Sequence, residues 1–368
     1  MNARRPNLPP ERLRARVSRR SALLLALSSS GALAQDFSGR GGEAPGFAIP
    51  RPGTPLLFPK DHGAHYDFRT EWWYVTATLA DADGASYGVQ WTLFRFALKA
   101  NAARAGWDDR NVWMGHAAAT SAGEHLFAQK FARGGIGQAG VEVEPFRAYI
   151  DDWDLVTRDE ARGAGIDRLR VSAQSKDFAY ALDLTATGPI VLQGEGGYSR
   201  KSEAGQASDY YSQPFFKAEG SVSIRGRKAQ VSGLAWMDRE WSSQPLGPDQ
   251  KGWDWFSLHL DGGAKLMLYR MRSVETPPFL FGNWIDAKGA TSPLIGKDIT
   301  LEPLETARIA GRDVPVCWRV RIESRGVNIE TRPLNPESWM ATEPAYWEGP
   351  IRFTGTHKGE GYLEMTGY

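Results

Sequence analysis

Glu71-Trp72-Trp73-Tyr74-Val75-Thr76-Ala77-Thr78-Leu79 is the stretch on which the fold turns. From Trp73 onward the residues alternate, with Trp73, Val75, Ala77 and Leu79 on one face and Tyr74, Thr76 and Thr78 on the other. That two-residue period is the mark of a β-strand. Turn residues follow at 81–86, and residues 87–98 run back as a second strand ending in Phe94-Arg95-Phe96. A like hairpin returns later, with Trp255-Phe256-Ser257-Leu258-His259-Leu260, a turn at Asp261-Gly262-Gly263, and Leu266-Met267-Leu268-Tyr269-Arg270. Both hairpins open on Trp beside an aromatic residue and close on an aromatic residue beside Arg. We read this as a weak internal repeat, and so as two β units of similar plan.

Working outward, short strand candidates follow at 113–120, 146–155, 168–175, 180–186 and 221–224, then at 229–236, 281–286, 315–322, 326–333 and 351–356. Only 159–162 and 336–339 read as briefly helical. The Gly- and Ser-rich stretch 194–212 is the expected interdomain linker or mobile loop. The composition agrees, because 14 Trp, 40 Gly and 22 Pro in 368 residues favour many short strands separated by turns. The fold class expected is all-β, as antiparallel barrels or sandwiches, and an eight-stranded barrel has room for one small apolar ligand. The expected divisions are 1–34, 35–57, 58–212 and 213–368.

A formal net charge of +1 leaves no electrostatic footprint for nucleic acid. Residues 1–34 read as a signal peptide. Arg4, Arg5, Arg12, Arg14, Arg16, Arg19 and Arg20 form the basic region, residues 22–27 an apolar run too short to span a membrane, and Ala32-Leu33-Ala34 the cleavage site. Ser18-Arg19-Arg20 loosely fits a twin-arginine signal. The expected location is therefore periplasmic or secreted. Residues 35–57 read as an extended leader.

Trp236-Met237-Asp238-Arg239-Glu240-Trp241 is the chemically loaded stretch. In an extended chain Trp236, Asp238 and Glu240 point one way and Met237, Arg239 and Trp241 the other, with the two carboxylates about 6.5–7 Å apart at Cα. In an apolar setting such a pair couples, and one acid holds its proton. Asp238 and Glu240 are therefore the candidate catalytic acids. The alternative is structural, with both acids salt-bridged to Arg239, Arg225 or Arg227. Trp236, Trp241, Trp253 and Trp255 are candidates to line an apolar site and to face a cation.

His62 and His65, near Asp61 and Glu71, have metal-ligand chemistry, but hydrogen-bonded residues anchoring the first strand are the reading preferred, so no metal site is assigned. His65, His116 and His259 are candidate ligand contacts. The lone Cys317 excludes an intramolecular disulfide and reads as a buried, inert thiol. No residue has a convincing nucleophile setting, since Gly84-Ala85-Ser86-Tyr87-Gly88 lies in a hairpin turn and not between a strand and a helix, which argues against a hydrolase.

Four ordered motifs, Asp61-His62-Gly63-Ala64-His65, Glu71-Trp72-Trp73-Tyr74, Trp236-Met237-Asp238-Arg239-Glu240-Trp241 and Tyr346-Trp347-Glu348-Gly349, make the chain from about Leu57 onward resemble the carotenoid 1,2-hydratase (hydroxyneurosporene synthase) and AttH-like family. The resemblance implies two lipocalin-like β-barrel domains. It implies either a secreted protein that binds a lipid or isoprenoid, often beside an ABC-type export system, or an acid-catalysed hydratase or isomerase of an isoprenoid or carotenoid-like alkene, with no cofactor. The export signal favours the first. Trp72, Trp73, Tyr74 and Trp347 join the candidate ligand contacts on these motifs.

Overall fold

A computed structural model of the chain describes residues 44–101, 105–158, 165–244, 246–247 and 249–368. The expected signal peptide, the first part of the leader and the expected helical turn at 159–162 lie outside the described residues.

The first sheet comprises β1 Thr70–Ala80, β2 Ser86–Ala97, β3 Asn111–Ser121, β4 His125–Arg133, β5 Ala139–Val143, β6 Phe146–Ile150, β7 Trp153–Thr157, β8 Arg168–Gln174, β9 Phe178–Ala186, β10 Val191–Leu192, β11 Tyr198–Arg200, β12 Ala207–Ile224 and β13 Arg227–Ser242. The second comprises β14 Gln250–Leu260, β15 Lys265–Ser273, β16 Phe279–Ile285, β17 Thr291–Ile295, β18 Ile299–Ile309, β19 Arg312–Ile322, β20 Val327–Pro333, β21 Trp339–Met340, β22 Tyr346–Gly355 and β23 Gly359–Thr366.

Both sheets follow one plan. Their orders are β4-β3-β2-β1-β13-β12-β9-β8-β7-β6-β5 and β17-β16-β15-β14-β23-β22-β20-β19-β18, so in each the last strand returns to pair with the first. In each, too, the two outermost strands are consecutive in the chain. Only residues 134–138 join β4 to β5, and a span of five residues keeps those edges close. Of these two barrel-like sheets one is rolled nearly shut and the other is a half-barrel. The two repeated hairpins become β1–β2 and β14–β15, at equivalent places in their sheets.

Each sheet wraps its own core. Trp73, Val75, Ala77 and Leu79 of β1 enter the first with Trp91, Trp113 and Trp153, and Phe256, Trp318, Trp347 and Phe353 anchor the second. The opposite faces of β1 and β13 pack on those of β14, β22 and β23, forming a third apolar cluster that we call the seam. With both faces covered, seven of the eleven residues of β1 form an unbroken buried run.

Several expectations are corrected. The division at 212/213 falls inside β12, which pairs with both β9 and β13 and so keeps 207–242 in the first barrel. The expected linker 194–212 contains β11 and the start of β12, because Ser199 and every residue from Ala207 to Ser212 find buried places. Residues 146–155 are two strands, β6 and β7, since Asp151 takes a left-handed conformation (φ 52°) that turns the chain. Residues 336–339 form a turn entering β21, with Ser338 Oγ donating to the Asn335 carbonyl.

A candidate acid site in the seam

The site is built from the even-numbered residues of β13. Register places Asp238 opposite Tyr74, Trp236 opposite Thr76 and Glu240 opposite Trp72, all on the seam face, while Arg239 pairs with Trp73 on the barrel face. Both acids are removed from water, at 3% exposure for Asp238 and 6% for Glu240. Asp238 accepts from Trp236 Nε1 at 2.8 Å and from the Ser212 hydroxyl. Burial pushes its carboxyl up to about 7 and the charge of Glu240 adds to the rise, against the pull of the Ser212, Trp236 and Tyr210 hydrogen bonds. Glu240 is instead paired with Lys201 Nζ at 2.7 Å and accepts from Ser208. The acids therefore differ, and the expected partners Arg225, Arg227 and Arg239 are not the ones the Glu240 carboxylate uses, Arg239 reaching only the Glu240 backbone carbonyl. Arg225 bonds Asp177 instead, and Arg239 is turned to the opposite face.

The second barrel supplies two more carboxyls. Glu348 on β22 and Glu364 on β23 are directly paired across the strands. Glu364 accepts from Trp253 Nε1 at 2.6 Å, and burial, with the charge of Glu240, pushes it to about 7. Glu348 is 1% exposed and is raised well above the usual carboxylate range, by burial first and then by Glu364. Indole and phenol rings close the space between the acids. Trp255 stands edge-on to Trp236 and Tyr74 at 6.3 and 5.3 Å, and its Nε1 donates to Tyr210 Oη at 3.2 Å.

Acids held near neutrality among indole rings give and take protons at neutral pH, with ring faces available to a cation. Two surface depressions, of about 380 Å³ beside Asp152 and Tyr180 and about 470 Å³ beside Arg319 and Glu330, are lined by none of the four acids. The seam is lined by aromatic side chains from both barrels.

The candidate contacts fall into four places. Trp72, Tyr74, Trp236, Trp253 and Trp255 meet in the seam, and His259 joins them 5.8 Å from Trp236. Trp73, Trp241 and His65 lie on the barrel side of β1 and β13. There His65 stacks on Trp241 at 3.8 Å, and Glu71 joins Arg95 and Arg239 in a fully buried ion network. Trp347 is in the second core because alternation turns it away from Glu348. His116 sits beside Tyr346, bonded to its hydroxyl at 2.9 Å. Burial holds His116 and His259 neutral, each lowered to about 3.

His62 and His65 are hydrogen-bonded, His62 to Tyr211 at 2.7 Å and His65 to Asp61 at 3.2 Å, and the His62 carbonyl accepts Trp73 Nε1 at 2.9 Å. Among the described residues no three His, Cys, Asp or Glu side chains gather as metal ligands would. Cys317 is free and buried. Sequence reasoning missed Glu348, Glu364, Tyr210, Tyr362 and Lys201. Alternation along Tyr346-Trp347-Glu348 carried the signal for Glu348, which stands on the face opposite Trp347.

A family model described as AttH-like matches residues 49–368. Among solved structures the chain is similar to an AttH candidate from Nitrosomonas europaea, at 35% identity and TM-score 0.76 over 88% of this chain and 99% of that one. It is also similar to kievitone hydratase from Nectria haematococca, at 16% identity and TM-score 0.63 over 87% and 98%, and to CghA solved with Sch210972, at 13% identity and TM-score 0.50 over 88% and 94%. At those lower identities the likeness is one of fold. No curated protein matches the chain.

Proposed function

We propose that this chain, which belongs to the AttH-like family, binds an apolar unsaturated ligand in the seam and exchanges a proton with it through Asp238. The observation that carries this reading is a carboxyl 3% exposed, pushed to about 7 and bonded to an indole, facing a second barrel whose Glu364 is also pushed to about 7. One acid at its midpoint gives a proton while the other accepts one.

For hydration, Asp238 gives its proton to one carbon of a double bond. The π electrons form the new C–H bond, and the neighbouring carbon is left cationic beside Trp236 and Trp255. Water adds its oxygen there and loses a proton to Glu364, so that ligand and water become an alcohol. Glu240 touches the reaction through its charge, which raises Asp238. The shared fold of kievitone hydratase supports this class of reaction. Carriage without turnover is the second reading, favoured by the half-buried ring faces of Trp72, Trp253, Phe279 and Phe281 against the seam. Export, with an ABC-type system as partner, belongs to the same proposal and rests on the Arg-rich segment and the family resemblance.

The test incubates the purified protein with acyclic isoprenoid alkenes and enones in ¹⁸O-labelled water. Labelled alcohol in excess over protein, reduced about 100-fold or more in Asp238→Asn, is expected. Undiminished turnover in that variant overturns the assignment. Fluorescence quenching with no product in excess of protein replaces it by carriage.

A further inference from the structure

Among the described residues, four buried polar atoms of the seam have no hydrogen-bond partner: His259 Nδ1 on β14, and a group of three, Glu348 Oε2, Tyr362 Oη and Gln90 Oε1. The residues of that group are 1%, 2% and 1% exposed. An unsatisfied buried polar atom costs about 1–3 kcal/mol, so three at one spot need a reason.

The register brings them together. On β22–β23, Glu348 faces Glu364 and Pro350 faces Tyr362, which makes Glu348 and Tyr362 diagonal neighbours on the seam face. On β1–β2, Tyr74 faces Thr92 and Thr76 faces Gln90, which gives Tyr74 and Gln90 the same relation. The Tyr74 hydroxyl donates to Glu348 Oε1 and ties the two diagonals into one cluster. Tyr362 reaches over β2, where a Cβ added at Gly88 would stand 2.7 Å from its hydroxyl. Thr120 approaches that hydroxyl, and Tyr346, whose hydroxyl is bonded to His116, approaches the Glu348 carboxyl, neither reaching hydrogen-bond geometry. Gln90 donates its amide to Thr92, which leaves its carbonyl oxygen unused.

The chemistry of the three atoms is complementary. With Oε1 of Glu348 occupied by Tyr74, the proton of a neutral carboxylic acid resides on Oε2. The cluster then offers two free O–H donors, Tyr362 and Glu348, and one acceptor, Gln90. A tyrosine hydroxyl beside a neutral, buried carboxylic acid is an arrangement suited to polarising a carbonyl.

We infer that Tyr362, Glu348 and Gln90 form a notch that binds one oxygen atom of the ligand, a carbonyl or hydroxyl oxygen set on an apolar framework. The ligand class is thereby an oxygenated apolar molecule, in preference to a bare hydrocarbon. This rests on the seam being the ligand site, as proposed above. Tyr362 and Glu348 donate to the oxygen, and Gln90 accepts its hydrogen when it carries one. Asp238, on the β13 side of the seam, is left to work on the carbon skeleton.

The test is calorimetric titration of the full chain with 2-naphthol and with naphthalene, which differ by one oxygen. 2-Naphthol should bind about tenfold tighter or better. Tyr362→Phe should weaken 2-naphthol binding about fivefold or more, since Glu348 and Gln90 remain, while leaving naphthalene binding and the melting temperature of the protein in place. Equal affinities in the unmutated protein, or a preference left undiminished by Tyr362→Phe, overturn the notch and keep the seam site. Binding of neither probe overturns both. The comparison within the unmutated protein decides the matter even if the variant folds poorly.

Discussion

The hydroxyl of Tyr74 in the first barrel donates to the carboxyl of Glu348 in the second, joining residues 274 positions apart at the centre of the seam. Both side chains are buried, at 5% and 1% exposure, so the bond is made out of water. Tyr74→Phe keeps the ring against Trp255 and removes only the donor, leaving Glu348 with an acceptor that nothing satisfies. A loss of about 1–3 kcal/mol is expected. Urea unfolding monitored by tryptophan fluorescence measures it, and a change within error would show that the bond contributes nothing net.

Asp238 ties stability to pH with a defined sign. Its carboxyl is pushed from an ordinary value of 3.8 up to about 7 in the folded chain, so between those values the unfolded chain loses a proton that the folded chain keeps. Below pH 4 the contribution is fully present, and it is lost as pH rises through about 7. The slope is at most about 1.4 kcal/mol per pH unit for one such group. Asp238→Asn should flatten the fall in stability between pH 4 and 7. Glu240→Gln, which removes a charge that raises Asp238, should move the alkaline limb of any turnover profile, where Asp238 loses the proton it has to give, to lower pH. Denaturant midpoints measured across that range check the first, and pH-rate profiles the second.

On the other face of β13, Glu71 is fully buried between Arg95 and Arg239. Burial alone would raise its carboxyl, but the two guanidiniums outweigh that and hold it well below the usual range. Glu71→Gln leaves two buried cations without their counter-charge and should destabilise the first barrel by about 3–5 kcal/mol. Unfolding midpoints decide it. A midpoint within error of the parent would mean that the cations find other partners.

The two-residue alternation of Trp73 to Leu79, and of Trp236 to Trp241, was enough to identify strands and to divide each stretch into two faces. Trp236, Asp238 and Glu240 do point one way and Met237, Arg239 and Trp241 the other. Which face met the barrel core and which met the seam was not legible, because both are buried and hydrophobicity then distinguishes neither. Trp72 and Trp73 show the consequence, since adjacent tryptophans serve different clusters. Trp347 and Glu348 repeat it in the second barrel.

The sequence by itself determined strand content, the repeated hairpin plan and the pairing of Asp238 with Trp236 on one face, since these are local properties of an extended backbone. Tertiary structure alone decided that Lys201 neutralises Glu240, that Glu364 and Glu348 come to stand across the seam from Asp238, and that Tyr362, Gln90 and Glu348 leave three polar atoms unpaired together. Those relations join residues far apart in the chain, and only the way two curved sheets stack on their outer faces brings them into one dry space.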